Sequence, residues 1–75
     1  MEADKILDAT GMACPMPIVK TKKAIEEIES GEVLEVHATD KGAKGDLTAW
    51  TKSGGHNMLK QTEEDGLLKF WIKKA

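Results

Sequence analysis

The sequence has a single cysteine, no long apolar run and no surplus of positive charge. With Cys14 alone, an internal disulfide is impossible and metal sites built on cysteine pairs are excluded. The longest uncharged stretch, Ala9 to Val19, holds both prolines. It falls far short of the roughly 18 apolar residues that a membrane span needs, so no membrane partner is expected. Glu2 and Asp4 place acid where the basic start of a secretory leader belongs, which makes the cytoplasm the expected location. Thirteen Asp plus Glu against eleven Lys plus Arg give a net charge of -2. That leaves no basic field to hold a phosphate backbone and argues against direct nucleic-acid binding.

What is present fits one small domain over residues 1–75. A chain of 75 residues buries roughly 60% of its unfolded surface on folding, enough for a workable core without staples. Hydrophobic residues at 40% and charged residues at 32% separate it from disordered chains.

Lys5 to Asp8, with Ile6 and Leu7 adjacent and the breaker Gly11 following, reads as a first strand. From Pro17 to Glu29 the residues Ile18, Thr21, Ile25 and Ile28, with Ala24 beside them, form one stripe at helical spacing. Ser30-Gly31 is the expected stop of that helix. Val33 to Thr39 alternates, with Leu34, Val36 and Ala38 on one face and Val33, Glu35 and His37 on the other, as a half-buried strand does. Asp40 suits a helix N-cap, followed by Ala43, Leu47 and Trp50 on one face and Gly54-Gly55 at the end. Met58 to Thr62 is a weaker strand. Asp65-Gly66 signals a turn, and Leu68, Phe70 and Ile72 alternate against Lys69, Trp71 and Lys73, so the last two strands are expected to form a hairpin. The fold class is therefore α+β: a two-layer α/β sandwich of order β-α-β-α-β-β. Two helices cover one face of a mixed four-stranded sheet and leave the other open.

The informative segment is Gly11-Met12-Ala13-Cys14-Pro15-Met16-Pro17. Residues before proline are pushed out of the α region, so Cys14 and Met16 should be extended and the helix should begin near Pro17. A thiol at a helix start meets unpaired N–H groups and the positive end of the helix dipole, which favour the thiolate. Pro15 and Pro17 stiffen the loop around it. Lys20, Lys22 and Lys23 fall in the first half of the expected helix and Glu26, Glu27 and Glu29 in its second, the reverse of what the dipole favours. Such local conflict concentrates at functional sites. The lysines are expected to add positive potential near Cys14 and to attract an acidic partner.

Each of these residues also has a plainer reading. A lone cysteine is commonly a small buried hydrophobe, lysines a solvated helix face, and Asp40 and Asp46 cap and first-turn acids. Met12 and Met16 are either core or a soft apolar rim. His37 and His56 are candidates for a base or, with Cys14, for metal ligands, but their spacing matches no known site pattern, and no metal or cofactor is expected. Trp50 belongs to the apolar stripe, whereas Trp71 faces away from the core and is expected on the open sheet face.

Leu7-Asp8, Gly11, Cys14-Pro15-Met16-Pro17, Gly31, Thr39-Asp40, Asp46-Leu47, Trp50, Gly55-His56 and Phe70-Trp71-Ile72-Lys73 together resemble the TusA/SirA-like sulfur-carrier family over nearly the whole chain. The resemblance implies the same two-layer sandwich and a sulfur relay. The cysteine matching Cys14 would accept sulfane sulfur from a cysteine desulfurase or rhodanese-type donor, hold it as a persulfide and pass it to a protein acceptor, of DsrE type or similar. Asp40 and the three helix lysines would shape recognition, and a monomer is expected. Members resembling the tRNA-thiolation relay commonly carry an acid between the two prolines, where this chain has Met16. That departure leaves molybdenum-cofactor synthesis, sulfur oxidation and other sulfur traffic open beside tRNA thiolation. Two readings of other classes stand beside the carrier: a small thiol-dependent sulfurtransferase or redox enzyme, and a non-catalytic interaction module that uses the open sheet face with Trp71.

Overall fold

The alternation of the second and last strands decides the architecture. In the computed structural model, which describes residues 3–13 and 16–75, the elements are β1 (Lys5–Ala9), α1 (Met16–Glu26), β2 (Val33–Ala38), α2 (Ala43–Ser53), β3 (Asn57–Glu64) and β4 (Leu67–Lys73). Leu34, Val36 and Ala38 of β2 and Leu68, Phe70 and Ile72 of β4 are all buried on one face. Against them pack Ala24, Ile25 and Ile28 from the first helical segment and Ala43 and Leu47 from α2. The resulting four-stranded sheet has the order β1-β2-β4-β3. β1 is parallel to β2, and β4 is antiparallel to both β2 and β3. Strands β1, β2 and β3 therefore run the same way, and their carboxyl ends share one edge of the molecule with the amino ends of both helices. The expected mixed two-layer α/β sandwich is what forms, and Asp65 and Gly66, both at positive φ, make the two-residue hairpin between β3 and β4.

Three boundaries differ from expectation, each for a local reason. Helix α1 ends at Glu26 instead of Glu29. The Glu27 N–H turns back to the Ala24 carbonyl, and the Glu29 N–H is taken by the Glu32 side chain, so Ile28 reaches the core from a turn. As a consequence Lys22 and Lys23 lie in the second half of the helix, with Lys23 in its last turn, where the dipole favours a cation. The expected charge conflict is reduced to Lys20 in the first half and Glu26 at the end of the helix. Helix α2 is capped by the backbone at Gly42 with no side-chain cap bond, so Asp40 is not its N-cap. Asp40 instead opens a turn in which its carbonyl accepts the Ala43 N–H. Strand β3 extends to Glu64, with an irregularity between Met58 and Lys60 that leaves Leu59 exposed at the sheet edge. Among the described residues no helix is long and apolar enough to cross a membrane.

Candidate functional site

The parallel pair β1 and β2 ends at the register Ala9↔Ala38. Beyond that last rung, one chain continues as Thr10-Gly11-Met12-Ala13 toward positions 14 and 15, and the other as Thr39-Asp40 toward α2. Cys14 and Pro15, the core of the sequence reading, lie outside the described residues. Ala13 is exposed on one side, and on the other Met16 is 41% exposed as the first residue of α1, helical where the following Pro17 was expected to keep it extended.

The loop leading to Cys14 is held by a set of short bonds. The Thr10 N–H and hydroxyl both donate to Asp8 Oδ1, at 3.0 and 2.5 Å, the pattern by which an Asp side chain organises a turn two residues on. The Gly11 N–H donates to Thr39 Oγ1 at 2.8 Å. The Met12 N–H reaches back to the Ala9 carbonyl at 3.3 Å, with Gly11 at φ +78° in the intervening turn. The Met16 N–H donates to the Ala13 carbonyl at 2.9 Å. The sequence marks Asp8 and Thr39 as strand ends, Gly11 as a breaker, and all three as matches to a family pattern, with no bonding role for any of them. The Asp-x-Thr spacing was a legible turn signal, whereas the Thr39 bond spans 28 residues and has no local signature.

Thr10 holds the Asp8 carboxyl below its ordinary pKa by donating both bonds to the ionised form, and the nearby His37 adds to the effect. His37 itself faces the open side of the sheet, where its Nε2 pairs with Glu35 Oε2. The Trp71 indole N–H donates to the other Glu35 oxygen at 2.9 Å, and the Lys60 ammonium lies 5.6 Å from the centre of the Trp71 ring. The Glu35 carboxyl is lowered first by its bond with His37 and then by Trp71, against the opposing effect of burial. Trp71 thus lies on the open face as expected, but it is half-buried and engaged there.

The remaining predicted residues separate. Pro17 is buried in the first turn of α1, where its carbonyl accepts the Thr21 hydroxyl at 2.7 Å. Lys20 is half-buried, and Lys22 and Lys23 are exposed along the same helix. Asp40 stands beside the Thr39 anchor with its Oδ2 buried and unpaired among the described residues. His56 precedes Asn57, which pairs with Lys73 and through it with Val33, so it sits at the opposite end of the sheet from His37. There its Nδ1 accepts the Ala75 N–H at 3.0 Å and its ring lies 5.3 Å from Trp50. The two histidines cannot serve one site. Among the described residues no group of three His, Cys, Asp or Glu is placed to hold a metal ion. Trp50 is half-buried against the core, as the stripe predicts.

The model of the family described as Sulfurtransferase TusA matches residues 5–74 of this chain. The chain belongs to the TusA family. It is 72% identical to YrkI of Bacillus subtilis (strain 168) over 75 residues, the whole of both chains. It is 43% identical to the sulfur carrier protein TusA of Allochromatium vinosum over 72 residues, covering 96% of this chain and 95% of that one. A solved SirA-like protein from Desulfitobacterium hafniense superposes with a TM-score of 0.82 at 28% identity, covering 92% of this chain and 95% of the other. A sulfur-carrier role follows, and with it a dependence on protein partners that load and unload the carrier.

Proposed function

We propose that Cys14 is the atom that carries the sulfur. Its thiolate attacks the outer sulfur of a donor persulfide, a new S–S bond forms on Cys14, and the donor leaves as its own thiolate. The reverse exchange, with an acceptor thiolate attacking the outer sulfur, empties the carrier. No electrons are gained or lost overall, so the cycle needs no further oxidant or reductant. The observation that carries the reading is the family match over residues 5–74, which includes the only cysteine of the chain. A second cysteine nearby would discharge the persulfide as an internal disulfide, and none exists.

The donor is a cysteine desulfurase or rhodanese-type protein, and the acceptor is a protein of DsrE type or similar. Met16, exposed beside the thiol segment, gives the docking surface an apolar character where the tRNA-thiolation members carry an acid. The reading therefore favours sulfur traffic other than tRNA thiolation. Pro15 and Pro17 fix the course of the chain around Cys14. The helix lysines Lys20, Lys22 and Lys23 serve recognition of an acidic partner, since Lys22 and Lys23 fall in the half of α1 away from its amino end. Asp40, close to the loop, shapes the same surface. The carrier works as a cytoplasmic monomer within a single domain.

Intact mass spectrometry after incubation with a cysteine desulfurase and cysteine tests the assignment. The protein gains about 32 Da per sulfur atom loaded, and Cys14→Ser gains none. An unloaded wild type, or an adduct that survives Cys14→Ser, overturns it. In the same assay, converting the three helix lysines to Gln is expected to raise the donor concentration needed for half-maximal loading without changing the final mass.

A further inference from the structure

We propose that Thr39 is a positioning residue for the sulfur-bearing loop, a role that rests on the reading of Cys14 as the carrier. Once β1 ends at Ala9, the amides that follow have no ladder partners and must find acceptors elsewhere. Thr10 uses Asp8 and Met12 uses Ala9, both within the same turn. These local bonds shape the turn and say nothing about where it sits. The Gly11 bond is different: its acceptor, Thr39 Oγ1, belongs to the segment that leaves β2, 28 residues away. Among the described residues this side-chain bond ties residues 10–13 to a second element. It fixes the loop laterally against the sheet, three residues before Cys14.

The residue type suits the task. Two heavy atoms on the Thr39 Cβ restrict χ1, so its hydroxyl oxygen stays aimed at the Gly11 amide. Thr39 is exposed and outside the core, so packing does not demand its branched shape. A persulfide exchange between two proteins needs the attacking sulfur, the outer sulfur and the leaving thiolate brought close to a line, whereas a small reagent can approach from any free direction. Lateral fixation of the loop therefore matters for loading from a protein and little for a small alkylating agent.

Thr39→Val keeps the branched shape and removes the acceptor, while Thr39→Ser keeps the acceptor. Loading of Cys14 by a cysteine desulfurase with cysteine, followed by intact mass, is expected to slow about three- to tenfold in Thr39→Val, the range for one hydrogen bond lost at a solvated site. It should return to within about twofold of wild type in Thr39→Ser, and alkylation of Cys14 by iodoacetamide should change less than about twofold in either. Amide exchange at Gly11 should accelerate in Thr39→Val and not in Thr39→Ser. Unchanged loading in Thr39→Val, or equal impairment in both variants, overturns the positioning role. A wild type that never loads sinks the carrier reading instead, while Gly11 exchange still reports separately whether Thr39 anchors the loop.

Discussion

Replacing Gly11 and Gly31 by alanine, one at a time, separates the backbone demands of the thiol loop from those of the fold. Both glycines sit at positive φ, +78° and +89°, and a Cβ built on either meets no atom within 4 Å. Steric clash is therefore excluded as a cost, and only the backbone preference of an L-residue remains. That preference disfavours the left-handed region by about 1–2 kcal/mol. The loss is offset by about 0.4–1 kcal/mol because alanine also restricts the unfolded chain. The net is about 1 kcal/mol for each variant, or a fall of about 4–8 °C in the melting temperature of a domain this small. Thermal unfolding followed by circular dichroism should show the same shift for both. Sulfur loading should differ. Gly31 links the first helical segment to β2 and donates its N–H to the Lys74 carbonyl, at the far end of the sheet. Gly11 is the residue anchored by Thr39. Gly11→Ala should slow loading from a desulfurase, and Gly31→Ala should not. A cost above about 3 kcal/mol for Gly11→Ala would refute the clash-free account, and equal slowing in both variants would refute the link between this turn and the thiol.

Two further outcomes test the packing and the open face. Phe70 is 1% exposed at the centre of the core, so Phe70→Ala should cost about 3–5 kcal/mol in urea unfolding. That is a large part of the roughly 4–11 kcal/mol available to a chain of this length, and a loss below about 2 kcal/mol would show that the core closes around the gap. Glu35 has a folded pKa below its ordinary 4.5, so its contribution is present above that value and is lost as the pH falls through the folded pKa. Asp8 acts in the same direction. Unfolding midpoints between pH 3 and 7 should therefore fall below pH ~4.5, with a shallower acid limb in Glu35→Gln; identical limbs would mean that the Glu35 network contributes nothing.

The parts of the fold legible in the sequence are those in which one face alone decides the pattern. Strands β2 and β4 alternate cleanly because each has a buried face toward the helices and an open face toward solvent. The Asp65-Gly66 turn was legible because both residues adopt the positive φ that a two-residue hairpin demands. Strand β3 extends beyond what the pattern of Met58 to Thr62 predicts because it is an edge strand and only Met58 and Thr62 along it are partly buried. The end of α1 was misplaced because Ile28 lies on the helical stripe and is buried, yet reaches the core from a turn. Periodicity reports burial and cannot tell one last helical turn from a tight bend. The Asp40 cap failed for a related reason. An acid three residues before a helix offers the same letters as a cap, and at this position the backbone of Gly42 serves instead. At the site, the family motif is legible and the placement of its loop is not. The motif around the single cysteine is visible in the sequence, but Cys14 lies outside the described residues, and the bonds that hold the preceding turn come from β1 and from the exit of β2, which no window of sequence contains together.

The uncovered face of the sheet explains how so small a domain keeps that loop in register. Two helices are enough for one face only, and on the other side Ile6 is 62% exposed while Val33 and Trp71 are half-buried. A purely apolar face there would invite a second sheet to cover it. Glu35 instead stands between β1 and β4, opposite Ile6 on one side and Trp71 on the other. It accepts the Trp71 N–H and pairs with His37, and Lys60 covers the ring from β3. The polar groups of the centre are thus satisfied by one another across β2, β4 and β3, without a partner layer. His37 in turn lies directly across from Asp8, the residue that organises the Thr10 turn. The network on the open face and the anchors of the thiol loop therefore meet at the last rungs of the β1–β2 ladder. Weakening Glu35 should loosen those rungs as well as the acid limb, and amide exchange at Thr10 and Gly11 in Glu35→Gln would register it before any change in global stability.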